Sequence, residues 1–298
     1  MISKILLSLT PAFLFLVMPF AIMGFLKLVG LGKKGRRSPL TRQLLRSPGE
    51  SLRAQIQDLT VNIDVYLIMT CTMPLVFFST YLSQMHLGGN KDNIASIIIY
   101  ATAAVFVTGF FAVNLLRLLK KRRSLYLALD CELAVGQELN HLMQHGYRVY
   151  HDFPADKFNI DHVVIGPKGV FAVETKGRPK RNEKGGQGEA KVIFDGKTLK
   201  FPSWSETKPI EQALRQGVWL SEWLASAIGE PVKVIPVLAL PGWYIVNEKS
   251  SNIVTFSGKN PAYILKAGND SLSDNVIQRI SHQIEQKCRD VKPTAYSR

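Results

Sequence analysis

The chain is poor in cysteine. Cys71, Cys131 and Cys288 are the only three in 298 residues, with no short spacing between any two. An odd, scattered set excludes a disulfide framework and a cysteine-based zinc site, and it fits a reducing compartment. Acidic residues are scarce in the first half: residues 1–123 hold 4 Asp+Glu against 15 Lys+Arg, whereas 124–298 hold 19 against 22. The formal net charge of +14 therefore divides into +11 and +3. A single basic globule and a disordered basic tail are both excluded. Three stretches lack charge altogether: residues 5–26, 65–85 and 93–116.

Each uncharged run exceeds the ~18–20 residues that cross a hydrocarbon core, and none has the polar face of a soluble core helix. The first contains Pro11 and Pro19, is too long for a signal-peptide core and lacks a small-x-small cleavage site. A retained three-span α-helical anchor over residues 1–123 is expected. Lys and Arg set its orientation. Lys33, Lys34, Arg36, Arg37, Arg42, Arg46 and Arg53 lie between the first two runs, and Arg117, Lys120, Lys121, Arg122 and Arg123 follow the third. The loop between runs two and three has only Lys91. This asymmetry puts the N-terminus outside and residues 117–298 in the cytoplasm, with a bacterial inner or plasma membrane as the expected bilayer. Topology and headgroup attraction account for the basic clusters without invoking nucleic acid. Ser47-Pro48-Gly49-Glu50 has the composition of a capping box, followed by Leu52, Ile56, Leu59 and Ile63 at helical spacing. This predicts a juxtamembrane helix over about 48–62 that runs into the second apolar run.

Residues 124–298 suffice for one cytoplasmic domain. Their pattern predicts helix, strand, two hairpins, helix, two strands and helix, the first helix running over about 126–145. The informative stretch is Asn159 to Gly177, where two β-rich runs flank Gly166-Pro167-Lys168-Gly169, a tight-turn composition. A two-residue loop at Pro167-Lys168 places Asp161 opposite Glu174, with Lys176 projecting from the same face two residues on. A one-residue slip would break that geometry. Two acids facing each other at ~4.5–5.5 Å between Cβ atoms repel unless a cation lies between them. With the Thr175 main-chain carbonyl they make an oxygen-rich site suited to Mg²⁺. Such an ion acidifies a water, while Lys176 orients that water or a phosphoryl group. The plain alternative is a surface Asp–Lys–Glu ladder worth ~0–1 kcal/mol.

Asp161, twelve residues, then Glu174-Thr175-Lys176 resembles the core of the PD-(D/E)XK nuclease superfamily. The string from Ile160 to Lys176 is more specifically similar to the nuclease-related domain, NERD, over about 127–243 and weakly beyond. The resemblance implies an α/β (α+β) restriction-endonuclease-like core, a mixed sheet flanked by helices. It implies a Mg²⁺-dependent phosphodiesterase, with Mn²⁺ as a substitute and DNA as the preferred nucleic acid. Asp161 and Glu174 then bind the metal and Lys176 positions the attacking water. The family's Gly-Glu pair falls on Cys131-Glu132, with cysteine in place of the glycine. Glu132 is the third carboxylate by family position; Glu138, on the other edge of the apolar stripe, stays available by periodicity. The family's Asn-Pro-x-x-Gln falls on Lys208-Pro209-Ile210-Glu211-Gln212, with Lys replacing Asn, and adds Gln212 to the catalytic candidates.

Gln212, Gln216, Trp219 and Trp223 share one helical face, suited either to a phosphate and stacked bases or to core packing. The loop Arg178–Glu189 carries Arg178, Lys180, Arg181 and Lys184, either tracking a phosphate backbone or simply solvated. Val192–Phe201 reads as a hairpin with an Asp-Gly turn. His141 and His145 are an i, i+4 pair without a third ligand, and His162 is expected to pack against the first helix. No haem, nucleotide or zinc is expected. Two functions compete: a membrane-anchored metal-dependent nuclease, or an inactive module of the same fold binding nucleic acid or a protein at the membrane.

Overall fold

The computed structural model describes residues 17–18, 21–25, 28, 38–87, 94–180, 190–268 and 272–293. Two compact units emerge, one taking in Ile56–Arg123 and the other Ser38–Gln55 with Ser124–Arg298.

The first unit holds most of helices α1 (Glu50–Leu87) and α2 (Ile94–Asn140), whose residues 50–55 and 124–140 belong to the second. Both are long and apolar enough to cross a membrane. Ile94, Val105, Phe106 and Leu116 turn outward, 65–76 % exposed, as suits side chains facing hydrocarbon rather than water. Tyr66 packs against Phe111 at 5.8 Å and Tyr81 against Tyr100 at 6.1 Å between ring centroids. The described residues thus contain two candidate spans where three were expected. The remaining run, 5–26, lies outside the described residues apart from a few helical positions.

The juxtamembrane helix expected over 48–62 forms the start of α1, which runs unbroken from Glu50 into the second apolar run. Its capping box does not form: Ser47 Oγ donates to Glu50 Oε2 at 2.7 Å instead of capping a backbone N–H. Likewise the helix expected over 126–145 is the end of α2, followed by a 3₁₀ turn at His141–His145. The basic run at 117–123 contains no Gly or Pro, and Lys, Arg and Leu are good helix formers, so nothing stops the helix there.

The second unit holds a mixed five-stranded sheet of order β1-β2-β3-β7-β9. Its strands are β1 (Arg148–Pro154), β2 (Asn159–Gly166), β3 (Gly169–Thr175), β7 (Val234–Ala239) and β9 (Val254–Phe256). β1, β2 and β3 are antiparallel, whereas β3, β7 and β9 are parallel. A second sheet, β6-β5-β4-β8, comprises β4 (Lys191–Phe194), β5 (Leu199–Lys200), β6 (Ser205–Glu206) and β8 (Tyr244–Asn247).

β3 is buried at every position, as a central strand with both faces covered must be. Its period of two divides the core. Val163, Ile165, Val170 and Ala172 face helices α3 (Lys208–Ile228) and α4 (Asp274–Cys288). Val164, Phe171 and Val173 face Val135, Leu139 and Leu142 at the end of α2 and in the 3₁₀ turn. The β2–β3 hairpin closes on the Gly166–Gly169 pair, so Pro167-Lys168 is the two-residue loop. The register His162–Val173 carries Asp161 and Glu174 to the open end of the hairpin.

Candidate functional site

At that end the ladder gives way to side chains. The last strand pair is His162–Val173, and one residue further Asp161 Oδ2 accepts the Thr175 N–H at 2.6 Å. The next N–H, that of Lys176, turns the other way and donates to the Ala239 carbonyl at 2.9 Å. This alternation holds β3 between its neighbours up to the residue that carries the ammonium. Lys176 Nζ lies 2.5 Å from Glu174 Oε1, and Gln216 Nε2 of α3 donates to Glu174 Oε2 at 2.5 Å. Both oxygens of a nearly inaccessible carboxylate are therefore engaged.

Glu132 enters from α2. It is buried, and its Oε2 has no hydrogen-bond partner. Burial pushes its carboxyl up to about 8, and the charges of Asp152 and Glu174 push the same way, against Lys176 and Arg53. Burial also holds Asp161 well above the ordinary carboxylate range, with Glu174 and Glu132 adding to it and the Thr175 N–H and Lys176 opposing. The Glu174 charge therefore acts on both Asp161 and Glu132, in surroundings where burial already disfavours the ionised form. Glu138 lies half-buried on the same helix.

Gly177, directly after Lys176, lets the strand end press against α2. A Cβ there would stand 2.8 Å from Cys131 Sγ and 3.1 Å from the Leu127 carbonyl. The cysteine that replaces the family glycine is part of this close contact.

Asp161, Glu174 and Lys176 thus come together, with Thr175 between them and Glu132 within electrostatic reach. Gln212 does not join them. It is half-exposed, and among the described residues its side chain makes no hydrogen bond. Gln216, one turn later, faces the site instead and also donates to the Asn159 carbonyl at 3.1 Å. Trp219 and Trp223 stack on each other at 6.3 Å and lean on Phe153, with Lys287 Nζ 5.2–5.8 Å from all three rings. That aromatic face belongs to the core. His162 is buried where a Cβ on Gly136 of α2 would touch its ring, and its Nδ1 meets His151 Nδ1 at 2.9 Å. Arg178 is paired with Glu206 at 2.7 Å; positions 181–189 of the basic loop lie outside the described residues.

Three carboxylates against one ammonium, with hard oxygen donors and a buried orphan Oε2, are chemically suited to a small divalent cation. As they stand, no three His, Cys, Asp or Glu side chains among the described residues are grouped closely enough to hold one. Lys176 supplies the positive charge at Glu174. Sequence reasoning placed Gln216 on the right helical face but did not assign it to the site. It missed Asp152 and Asn159 altogether; neither carries a motif, and both act through contacts with distant segments.

The nuclease-related domain (NERD) family model matches residues 128–241. The match spans Glu132, Asp161, Glu174, Lys176 and Gln216, so these residues lie in a segment similar to the nuclease-related domain. No curated protein and no solved structure matches the chain significantly.

Proposed function

We propose that this chain is a membrane-anchored, metal-dependent nuclease that hydrolyses phosphodiester bonds, DNA being its preferred substrate. The observation that carries the reading is the end of the β2–β3 hairpin, where Asp161 accepts the Thr175 N–H and Glu174 meets Lys176, with Glu132 within electrostatic reach. Burying that many acids together is costly and has no structural use that apolar side chains would not serve better.

Asp161, Glu174, the Thr175 carbonyl and Glu132 would hold Mg²⁺ or Mn²⁺, which would supply charge neutralisation at the phosphate and a more acidic water. The chain's own residues do the rest. Lys176 exchanges its contact with Glu174 for the attacking water or a non-bridging phosphoryl oxygen. Gln216 keeps the freed Glu174 aimed at the site. Water oxygen bonds to phosphorus in line as the P–O ester bond breaks; the attacking water releases one proton to bulk solvent and the leaving oxygen takes one up from it. The apolar helices α1 and α2 hold the domain at a bilayer, with residues 124–298 on the cytoplasmic side.

The test uses the full chain purified in detergent, incubated with plasmid, linear and single-stranded DNA and with RNA, plus Mg²⁺ or Mn²⁺. Asp161→Ala and Lys176→Ala are expected to abolish cleavage. Equal cleavage by these variants refutes the assignment. The engagement of both Glu174 oxygens favours the second reading, an inactive module that binds nucleic acid or a protein. That reading predicts binding without cleavage under every metal condition.

A further inference from the structure

The segment 38–55 belongs to the same compact unit as the site, although it runs into the first turns of α1 and lies outside the family match. Its path is pinned to the domain. Leu44 and Val291 exchange backbone hydrogen bonds of 2.8 and 3.2 Å, and the Arg46 N–H donates to the Cys288 carbonyl at 3.0 Å. The Arg46 guanidinium then forks. Nε and Nη2 donate to the two oxygens of Asp290, each at 2.7 Å, and Nη1 donates to Asp152 Oδ2 at 2.9 Å.

Asp152 is the hub. Its side chain is 2 % exposed. It also accepts the Ser51 N–H at 2.9 Å, the Ser51 hydroxyl at 2.6 Å and Asn159 Nδ2 at 3.1 Å. At φ 49 it is the one described non-glycine residue with positive φ. A side chain held there persists only when its surroundings over-determine it, and four hydrogen bonds on one carboxylate do so. From Asn159 the connection continues: its carbonyl and Glu174 Oε2 share the two protons of the Gln216 amide.

We infer that the segment 38–55 is a working part of the site, with Arg46 as a positioning residue for Glu174 acting through Asp152, Asn159 and Gln216. The inference rests on the proposed reading for its catalytic meaning, but the geometry it invokes is independent of any metal. Arg46 neutralises Asp152, so that Asp152 faces Ser51 and Asn159. Asn159 is thereby held where its carbonyl can orient the Gln216 amide, and that amide fixes the Glu174 rotamer that Lys176 meets. Loss of Arg46 frees the first member and loosens each one after it.

The experiment uses full-length protein in detergent and the variants Arg46→Ala, Arg46→Lys and Gln216→Ala, with Arg279→Ala as a surface ion-pair control. Limiting acylation with an N-hydroxysuccinimide ester, read by mass spectrometry, reports the Lys176 rate relative to Lys200. The Lys200 amine pairs with Asp195 at 2.9 Å, remote from the relay, so the ratio cancels global unfolding. Arg46→Ala and Gln216→Ala are expected to raise the ratio about fivefold, the weight of one net hydrogen bond. Arg46→Lys falls between, and Arg279→Ala leaves it unchanged. A ratio unmoved by Arg46→Ala overturns the relay. DNA cleavage forms the second arm: kcat falls in Arg46→Ala while KM for DNA holds. Wild type that cleaves nothing while the ratio responds sinks the proposed activity and keeps the relay. Cleavage at the wild-type rate by Arg46→Ala, with the ratio unmoved, does the opposite.

Discussion

Glu132→Gln is the most informative single change, because it removes a charge the fold resists and alters little else. The carboxyl moves from an ordinary 4.5 to about 8 in the folded chain. A raised folded value means that the native state binds the proton more tightly than the unfolded chain does. Its stabilising contribution is complete below pH 4.5 and is lost as pH rises through 8. At about 1.4 kcal/mol for each tenfold change in proton affinity, the rise from pH 6 to 8 costs the wild type roughly 3 kcal/mol. For a domain of this size that lowers the melting midpoint by about 6–12 °C. The glutamine variant carries no such dependence, so a variant that matches wild type near pH 5 should exceed it by about 4 kcal/mol near pH 8.5. The assay is a thermal melt of the full chain in detergent with EDTA, at half-unit steps from pH 5 to 9. Parallel curves for the two proteins would falsify the claim that Glu132 sits desolvated among other acids.

The buried histidine pair gives the opposite slope. His151 is lowered by burial from 6.5 to about 4, so its contribution is present above pH 6.5 and lost as pH falls toward 4. His151→Asn should flatten the acid limb of the same melt, and an unchanged limb counts against a buried neutral imidazole. Gly177→Ala inserts a methyl against Cys131 Sγ and the Leu127 carbonyl and should cost about 1–3 kcal/mol in denaturant midpoints. Adding Cys131→Gly should recover part of that loss; strict additivity would mean the two positions do not touch. Deleting residues 38–55 removes the Asp152 partners Arg46 and Ser51 and should lower the domain's melting midpoint even where the apolar helices are retained by a flexible replacement. An unshifted midpoint means the strap is not part of the fold.

Much of the site could be read from one short stretch because hairpin geometry is local. Gly-Pro-Lys-Gly sets the turn, the turn sets the register, and period two sets which acids face which. The continuity of α2 was harder to read. Composition marked where charge begins and apolar sequence ends, yet a helix does not stop at a change of polarity unless a breaker or a cap intervenes. Gln212 and Gln216 show the limit of periodicity. Both fall on the inward half of α3, and only the packing of that helix across β2 and β3 decides which amide reaches Glu174.

The sequence by itself determined that the chain has two physically different halves and that Asp161, Glu174 and Lys176 share one edge of a hairpin. Both follow from short-range rules: hydropathy over ~20 residues and side-chain alternation along a strand. Only the tertiary structure decided that Glu132 lies within electrostatic reach of Glu174 and Lys176, that Gln216 holds Glu174, and that Arg46 reaches Asp152 across a separation of 106 residues. Contacts between segments so far apart leave no periodic trace. They form because a buried carboxylate must find donors, and the folded chain alone determines which donors are near.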